Sequence, residues 1–137
     1  MDGIIAAYLT LAGSKGLDEI DRQLMEPNEI SPAVRRAACR ALRFHVEEGN
    51  VFDRKRVIAS CRLLLDDPKS ADYAIRDLAR WEDWESLDAV LRLRREHADA
   101  CRWLKQPIQE YLEACPLPAA SEALAATKES CGVILPP

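Results

Sequence analysis

Residues 31–49 read SPAVRRAACRALRFHVEEG, and both ends of the stretch are punctuated like a helix. Ser31 is placed to accept the first free amides, Pro32 loses nothing at the first helical position, and Gly49 stands just past the end. Between them Val34, Ala37, Ala38, Ala41, Leu42 and His45 recur at steps of three and four, so they form one buried stripe. The stripe is rich in alanine, which lets a neighbouring helix approach closely. Arg36, Arg40 and Arg43 follow i, i+4, i+7 spacing and share another face, with Arg35 close by.

The same periodicity continues on both sides. Before it lie a segment at 3–12 ended by Gly13 and another at 14–25, where Leu17, Ile20 and Leu24 share a face before Pro27. Ile4, Ile5, Tyr8, Leu9 and Ala12 suit one buried face of the first segment. After it, Asp53 caps a segment with Val57, Ile58, Cys61, Leu64 and Leu65 inward, and Pro68 separates this from one with Ala71, Ala74, Ile75 and Leu78 inward. Trp84, Leu87, Val90, Leu91 and Arg94 line the next segment, with Asp83 as its cap. Pro107 falls inside ADACRWLKQPIQEYLEAC (98–115), where a missing backbone donor predicts a kink or break. The last segment opens near Pro118. Residues 1–130 read as a single domain, and 131–137 as a poorly ordered tail.

Few glycines, few β-branched residues and much Ala, Leu, Arg and Glu make an all-α protein the expectation. The second helix of each successive pair aligns with the others: Leu17, Asp53 or Arg54, Leu87 and Ala119 recur about every 32 to 37 positions. A helix hairpin repeating at that period is the signature of a solenoid. The expected architecture is a short right-handed α-solenoid of about eight antiparallel helices.

Here the residues resemble a known class. SPAVRRAACRAL is similar to the first-helix pattern of HEAT-like and armadillo-type repeats, with a Pro near the start, an Arg and an A-x-x-A-L core. DLARWEDWESLD (77–88) and QEYLEACPLPAASEAL (109–124) look like phrases of large uncharacterised bacterial proteins with a HEAT-like region. The resemblance covers most of the chain, about four hairpins, and implies a helical interaction module with no assigned activity. Its period is shorter than the usual ~40–47 residues. A tetratricopeptide repeat fits less well: Trp84 and Leu87 supply its W-x-x-L, but Asp88 replaces the glycine and Leu91 the tyrosine.

Residues 77–91, DLARWEDWESLDAVL, set Trp81 and Trp84 among Glu82, Asp83 and Glu85. Such a cluster is either a cage for a cation or base, or the corner between two packed helices. The repeat favours the corner, with Trp81 closing over the end of its helix and Trp84 packing one turn before Leu87.

Chemistry is sparse. Neither H-E-x-x-H nor C-x-x-C spacing, nor a Gly-rich phosphate loop, occurs, so no catalytic, metal or cofactor residue is assigned. His45 reads as a core histidine and His97 as a solvated cap. The odd set Cys39, Cys61, Cys101, Cys115 and Cys131 reads mostly as buried thiols in a reducing compartment, the cytoplasm. Asp2 in place of a basic n-region argues against a signal peptide, and no apolar run approaches the ~20 residues of a membrane helix.

Charge is uneven: residues 1–30 hold two basic and six acidic groups, residues 31–66 eight basic and four acidic. Pairing of the helix carrying Arg36, Arg40 and Arg43 with the one carrying Arg54, Lys55, Arg56 and Arg62 predicts a basic ridge able to hold phosphate, nucleic acid or an acidic peptide. On the second-helix surface, Lys55, Arg62, Glu85, Asp88, Arg92 and Arg95 mix both signs, which suits a protein partner better than a nucleic-acid backbone. The leading expectation is a non-enzymatic protein-interaction module. Nucleic-acid or phosphate binding through 35–62 comes second, and an enzyme third.

Overall fold

The computed structural model describes residues 1–26 and 29–134, and side chains as far as residue 126. Seven α-helices, and no strand, occur among the described residues: α1 (Asp2–Ile20), α2 (Pro32–Glu47), α3 (Arg54–Arg62), α4 (Ala71–Arg80), α5 (Leu87–His97), α6 (Lys105–Ala114) and α7 (Pro118–Ile134). The periodicity suggests about eight. The difference lies in α1, where the first two expected segments run on as one element broken at Gly13, whose φ of 64° and ψ of −146° are not helical. A side chain rarely tolerates positive φ, so glycine lets the chain change direction here. α1 then continues through a π-helical turn, Asp21–Met25.

Local chemistry sets the other boundaries. The Ser31 hydroxyl accepts from the Ala33 amide at 3.2 Å and Pro32 opens α2. α2 closes where the Glu48 and Gly49 amides both donate to the Phe44 carbonyl, at 2.8 and 3.0 Å. A Cβ on Gly49 would lie 2.9 Å from the Cα of His45, so the chain needs glycine to fold back this closely. Asp53 caps α3 by accepting from the Lys55 amide, and α3 tightens into a 3₁₀ turn, Leu63–Asp66. A second 3₁₀ turn, Trp84–Ser86, leads into α5, and a third, Arg102–Leu104, into α6.

Pro107 makes no kink. α6 begins only at Lys105, so the proline sits in its first turn, where its missing amide would have had no helical partner. α7 begins at Pro118 and extends to Ile134, past the boundary expected at 130. Leu135–Pro137 and the Cys131 side chain lie outside the described part.

α1 packs on α2; α2 on α3 and α4; α3 on α4; α4 and α5 on α6; and α6 on α7. One continuous core results, running from Ile5 through Leu42, Leu64 and Leu78 to Tyr111 and Ala120. The stripes expected in α2, α3 and α4 are buried, apart from a half-buried Val34. α1 differs. Ile5 and Leu9 are buried, but Ile4 is 75% exposed, Leu11 89% and Tyr8 43%, because α2 covers only one narrow side of this helix.

Polar contacts between elements share a recurring separation. Arg35 pairs with Asp67, 32 residues on; Arg36 donates to the Tyr73 hydroxyl, 37 on; Arg43 donates to Asp77 and Trp81 to Glu47, each across 34. Because both partners advance together, α2 and α4 lie side by side and point the same way. Arg56 of α3 likewise reaches back to Asp18 and Asp21, 38 and 35 residues earlier.

The break at Gly13 gives a simple test. A Cβ there would meet no atom within 4 Å, so Gly13→Ala isolates backbone strain. It should lower unfolding stability by about 1–3 kcal/mol. Gly3→Ala, equally uncrowded but at an ordinary helical φ, should be neutral or stabilising by up to about 1 kcal/mol in the same urea titrations.

Candidate functional site

The arginine stripe of α2 meets α4. Arg36, Arg40 and Arg43 line a groove of about 240 Å³ together with Cys39 and, from α4, Asp72, Tyr73, Arg76, Asp77 and Arg80. Five guanidiniums face two carboxylates, so the groove carries an excess of positive charge. No residue of α3 lines it. The single ridge expected from α2 and α3 is therefore not formed at this groove. Arg56 instead binds Asp18, Asp21 and the Ser60 hydroxyl, and Arg62 binds Asp83 and Glu85. Arg35 leaves the surface altogether: it is buried and donates to the Leu24 and Glu26 carbonyls as well as to Asp67.

Within the groove the cations differ in freedom. Arg36 lies 4.8 Å over the Tyr73 ring and donates to its hydroxyl at 2.6 Å, so its fork is oriented. Arg40 reaches Asp2 of α1 at 3.1 Å and holds that carboxyl below its ordinary range. Arg43 Nε lies 3.0 and 3.1 Å from the two Asp77 oxygens, and Arg80 joins Glu47 at 3.2 Å. Arg76 is exposed and has no hydrogen-bond or ion-pair partner among the described residues.

The two groove carboxylates behave alike. Burial pushes Asp77 above the ordinary carboxylate range despite the opposing pull of Arg43 and Arg80, and burial does the same to Asp72 against Arg76 and Arg36. One Asp72 oxygen is buried without a hydrogen-bond partner. Asp77 sits within α4 and is buried.

The second-helix residues take separate positions. Arg62 donates to Asp83 through Nε at 2.8 Å and through Nη2, and to Glu85 at 3.1 Å; Arg92 reaches Asp66 at 3.3 Å. Lys55, Asp88 and Arg95 are exposed, and their side chains have no polar partner among the described residues.

The paired tryptophans form a corner. Trp81 is buried and its Nε1 donates to Glu47; Trp84 is half-buried and meets Tyr111 edge to face at 5.3 Å. Asp83 does not cap α5 with its side chain. It accepts from Arg62 and from the Ser86 hydroxyl, while its backbone carbonyl accepts from the Tyr111 hydroxyl at 2.7 Å. Burial raises the Asp83 carboxyl, but the hydrogen bonds from Arg62 and Ser86 outweigh it and hold the group below its ordinary range. Glu82, at φ 56°, makes the turn itself.

Cys39, Cys61 and His45 are shielded in the core. Burial pushes the Cys39 thiol up to about 12 and raises Cys61 well above its ordinary value, which suppresses the nucleophilic thiolate. His45 is buried between Phe44 and Phe52, with Nε2 3.1 Å from the Ala6 carbonyl and Nδ1 without a partner. No group of three or more His, Cys, Asp or Glu able to hold a metal ion occurs among the described residues, nor any helix long and apolar enough to cross a membrane.

Sequence reasoning missed Arg76, Arg80, Asp72, Tyr73 and Asp77 as companions of the α2 stripe. The signal was present: adding the repeat offset to Arg36 and Arg43 lands on Tyr73 and Asp77.

The Asp83 corner predicts a pH signature. Asp83→Asn should cost about 1.5–3 kcal/mol at pH 7, since it weakens charge-assisted bonds. With its folded-state pKa depressed, Asp83 contributes fully above the ordinary carboxyl value of about 4, and loses that contribution as pH falls through the depressed value. The stability gap between the chain and Asp83→Asn, followed by urea titration from pH 7 downward, should therefore hold to about pH 4 and close below it.

Compared with protein-family models, curated proteins and solved structures, the chain matches none.

Proposed function

We propose that this chain is a short α-solenoid of HEAT-like, armadillo-type helix hairpins that works as a non-enzymatic protein-interaction or scaffolding module. The observation that supports this most is the ladder of side-chain bonds at separations of 32 to 38 residues, from Arg35–Asp67 to Arg56–Asp18. Bonds at one repeated offset join like elements of successive units, which is how stacked hairpins bury a continuous core. The packing of α2 on α4 and α4 on α6, each skipping one helix, has the same character.

The chemistry of the surface fits the reading. The buried thiols and the carbonyl-bound His45 leave no exposed nucleophile–base pair among them, and the exposed groups mix both signs. Lys55, Arg62, Glu85, Asp88, Arg92 and Arg95 are the proposed contact residues on the second helices. The four described cysteines are free, which suits the cytoplasm. Nucleic acid is the weaker reading, because Asp2, Glu47, Asp72 and Asp77 interrupt the basic stripe along α2.

Affinity capture on the purified chain, with the retained protein identified and its binding remeasured with both components pure, tests the proposal. A defined protein partner whose affinity falls at least about tenfold with the triple change Asp88→Arg, Arg92→Glu and Arg95→Glu is expected. Retention of nucleic acid alone, with binding that falls steeply as salt rises, would overturn it.

A further inference from the structure

The α2/α4 groove sets five guanidiniums against Asp72 and Asp77 within it and Asp2 and Glu47 at its edges, so one cation is in excess and Arg36 and Arg76 have no carboxylate bonded to them. Arg36 and Arg40 stand four residues apart on α2, as do Arg76 and Arg80 on α4, and the helices run side by side in one direction. Four residues of helix rise about 6 Å. Alternate residues of an extended chain point the same way and lie about 6.6 Å apart. An extended peptide laid along the groove with an acidic residue at every second position would therefore bring one carboxylate to each arginine step.

The geometry points to the α2/α4 groove as the seat of an extended acidic peptide segment of a protein partner, whose alternate carboxylates pair with Arg36, Arg40 and Arg76. This assignment rests on the interaction-module reading and names the chemistry of the partner. Arg76 is the free contact, exposed and without a polar partner among the described residues. Arg36 is already oriented by Tyr73, so little of its freedom remains to be lost on binding. Arg40 would exchange the Asp2 carboxylate for one from the peptide. Carboxylate–guanidinium pairs of this kind are bidentate and directional.

A phosphodiester strand fits less well. Asp72 and Asp77 lie within the lining and would face its unbroken charge. The one aromatic ring in the groove, Tyr73, already carries Arg36 over one face, where a base would compete with it.

The test uses the purified full chain and fluorescence anisotropy with three labelled probes: an eight-residue peptide alternating Glu and Gly, its Gln-for-Glu counterpart, and a short oligothymidine of equal charge. The Glu peptide should bind and the Gln peptide should not. Arg76→Glu and Arg36→Glu should each weaken binding about tenfold, while Lys105→Glu, exposed on α6 and outside the groove, leaves it unchanged. Circular dichroism checks each variant; Arg76 bonds to nothing that folding needs. The assignment is overturned if the Glu peptide does not bind, if Lys105→Glu weakens it as much as Arg76→Glu, or if oligothymidine binds more tightly. A chain that ignores the acidic peptide but keeps a captured protein partner loses this groove assignment and not the module. A chain that binds the peptide at Arg76 but captures no protein keeps the groove and loses the module.

Discussion

The buried guanidinium of Arg35 ties three parts of the chain together. It reaches the Leu24 and Glu26 carbonyls at the end of the first helical element, and the Asp67 carboxylate in the turn before α4, from its own place on α2. Asp67 in turn accepts from the Lys69 amide and the Ser70 hydroxyl, which sets the start of α4. A guanidinium removed from water is tolerated only with this degree of pairing, because an unpaired buried charge costs several kcal/mol. One side chain therefore links the end of the first helical element, α2 and the turn before α4.

From that bracket the rest follows in steps of similar length. Arg36, Arg43 and Glu47 each reach α4 or its end at a similar offset, so α4 is held parallel to α2. One unit further on, the corner at Asp83 repeats the principle with different residues. Arg62 comes from α3, Tyr111 from α6, and both meet at a turn that Glu82 makes possible. Tryptophans that resemble a ligand cage are the packing around this joint. The bonds that span 32 to 38 residues support the proposed solenoid, while those at the corner span 21 and 28.

The elements that were legible in the sequence are those governed by neighbours in the chain. Ser31, Pro32 and Gly49 mark α2 because capping is local, and the stripes of α2, α3 and α4 follow from helical period alone. What depends on distant packing was not legible. Periodicity gave α1 a wide apolar face, but Ile4, Tyr8 and Ala12 of that face remain exposed because α2 covers only one side of the helix. Pro107 was read as interior because nothing local shows that α6 begins only at Lys105. The α2 arginines were assigned to a ridge with α3, when Arg36 and Arg43 find their partners on α4 and Arg40 on α1. Only the repeat offset, which is 37 residues for Arg36–Tyr73 and 34 for Arg43–Asp77, points to these pairs.

Side-chain bonds across 32 to 38 residues tie the helices together, and Arg35 is the one that joins three segments at once. Amide hydrogen exchange on Arg35→Met, compared with the unaltered chain, tests it most directly. The account predicts faster exchange in the segments that Arg35 joins, residues 20–26 and 67–75, with α6 and the first turns of α7 keeping their protection. Protection lost evenly from α1 to α7, or not lost in either joined segment, would contradict it.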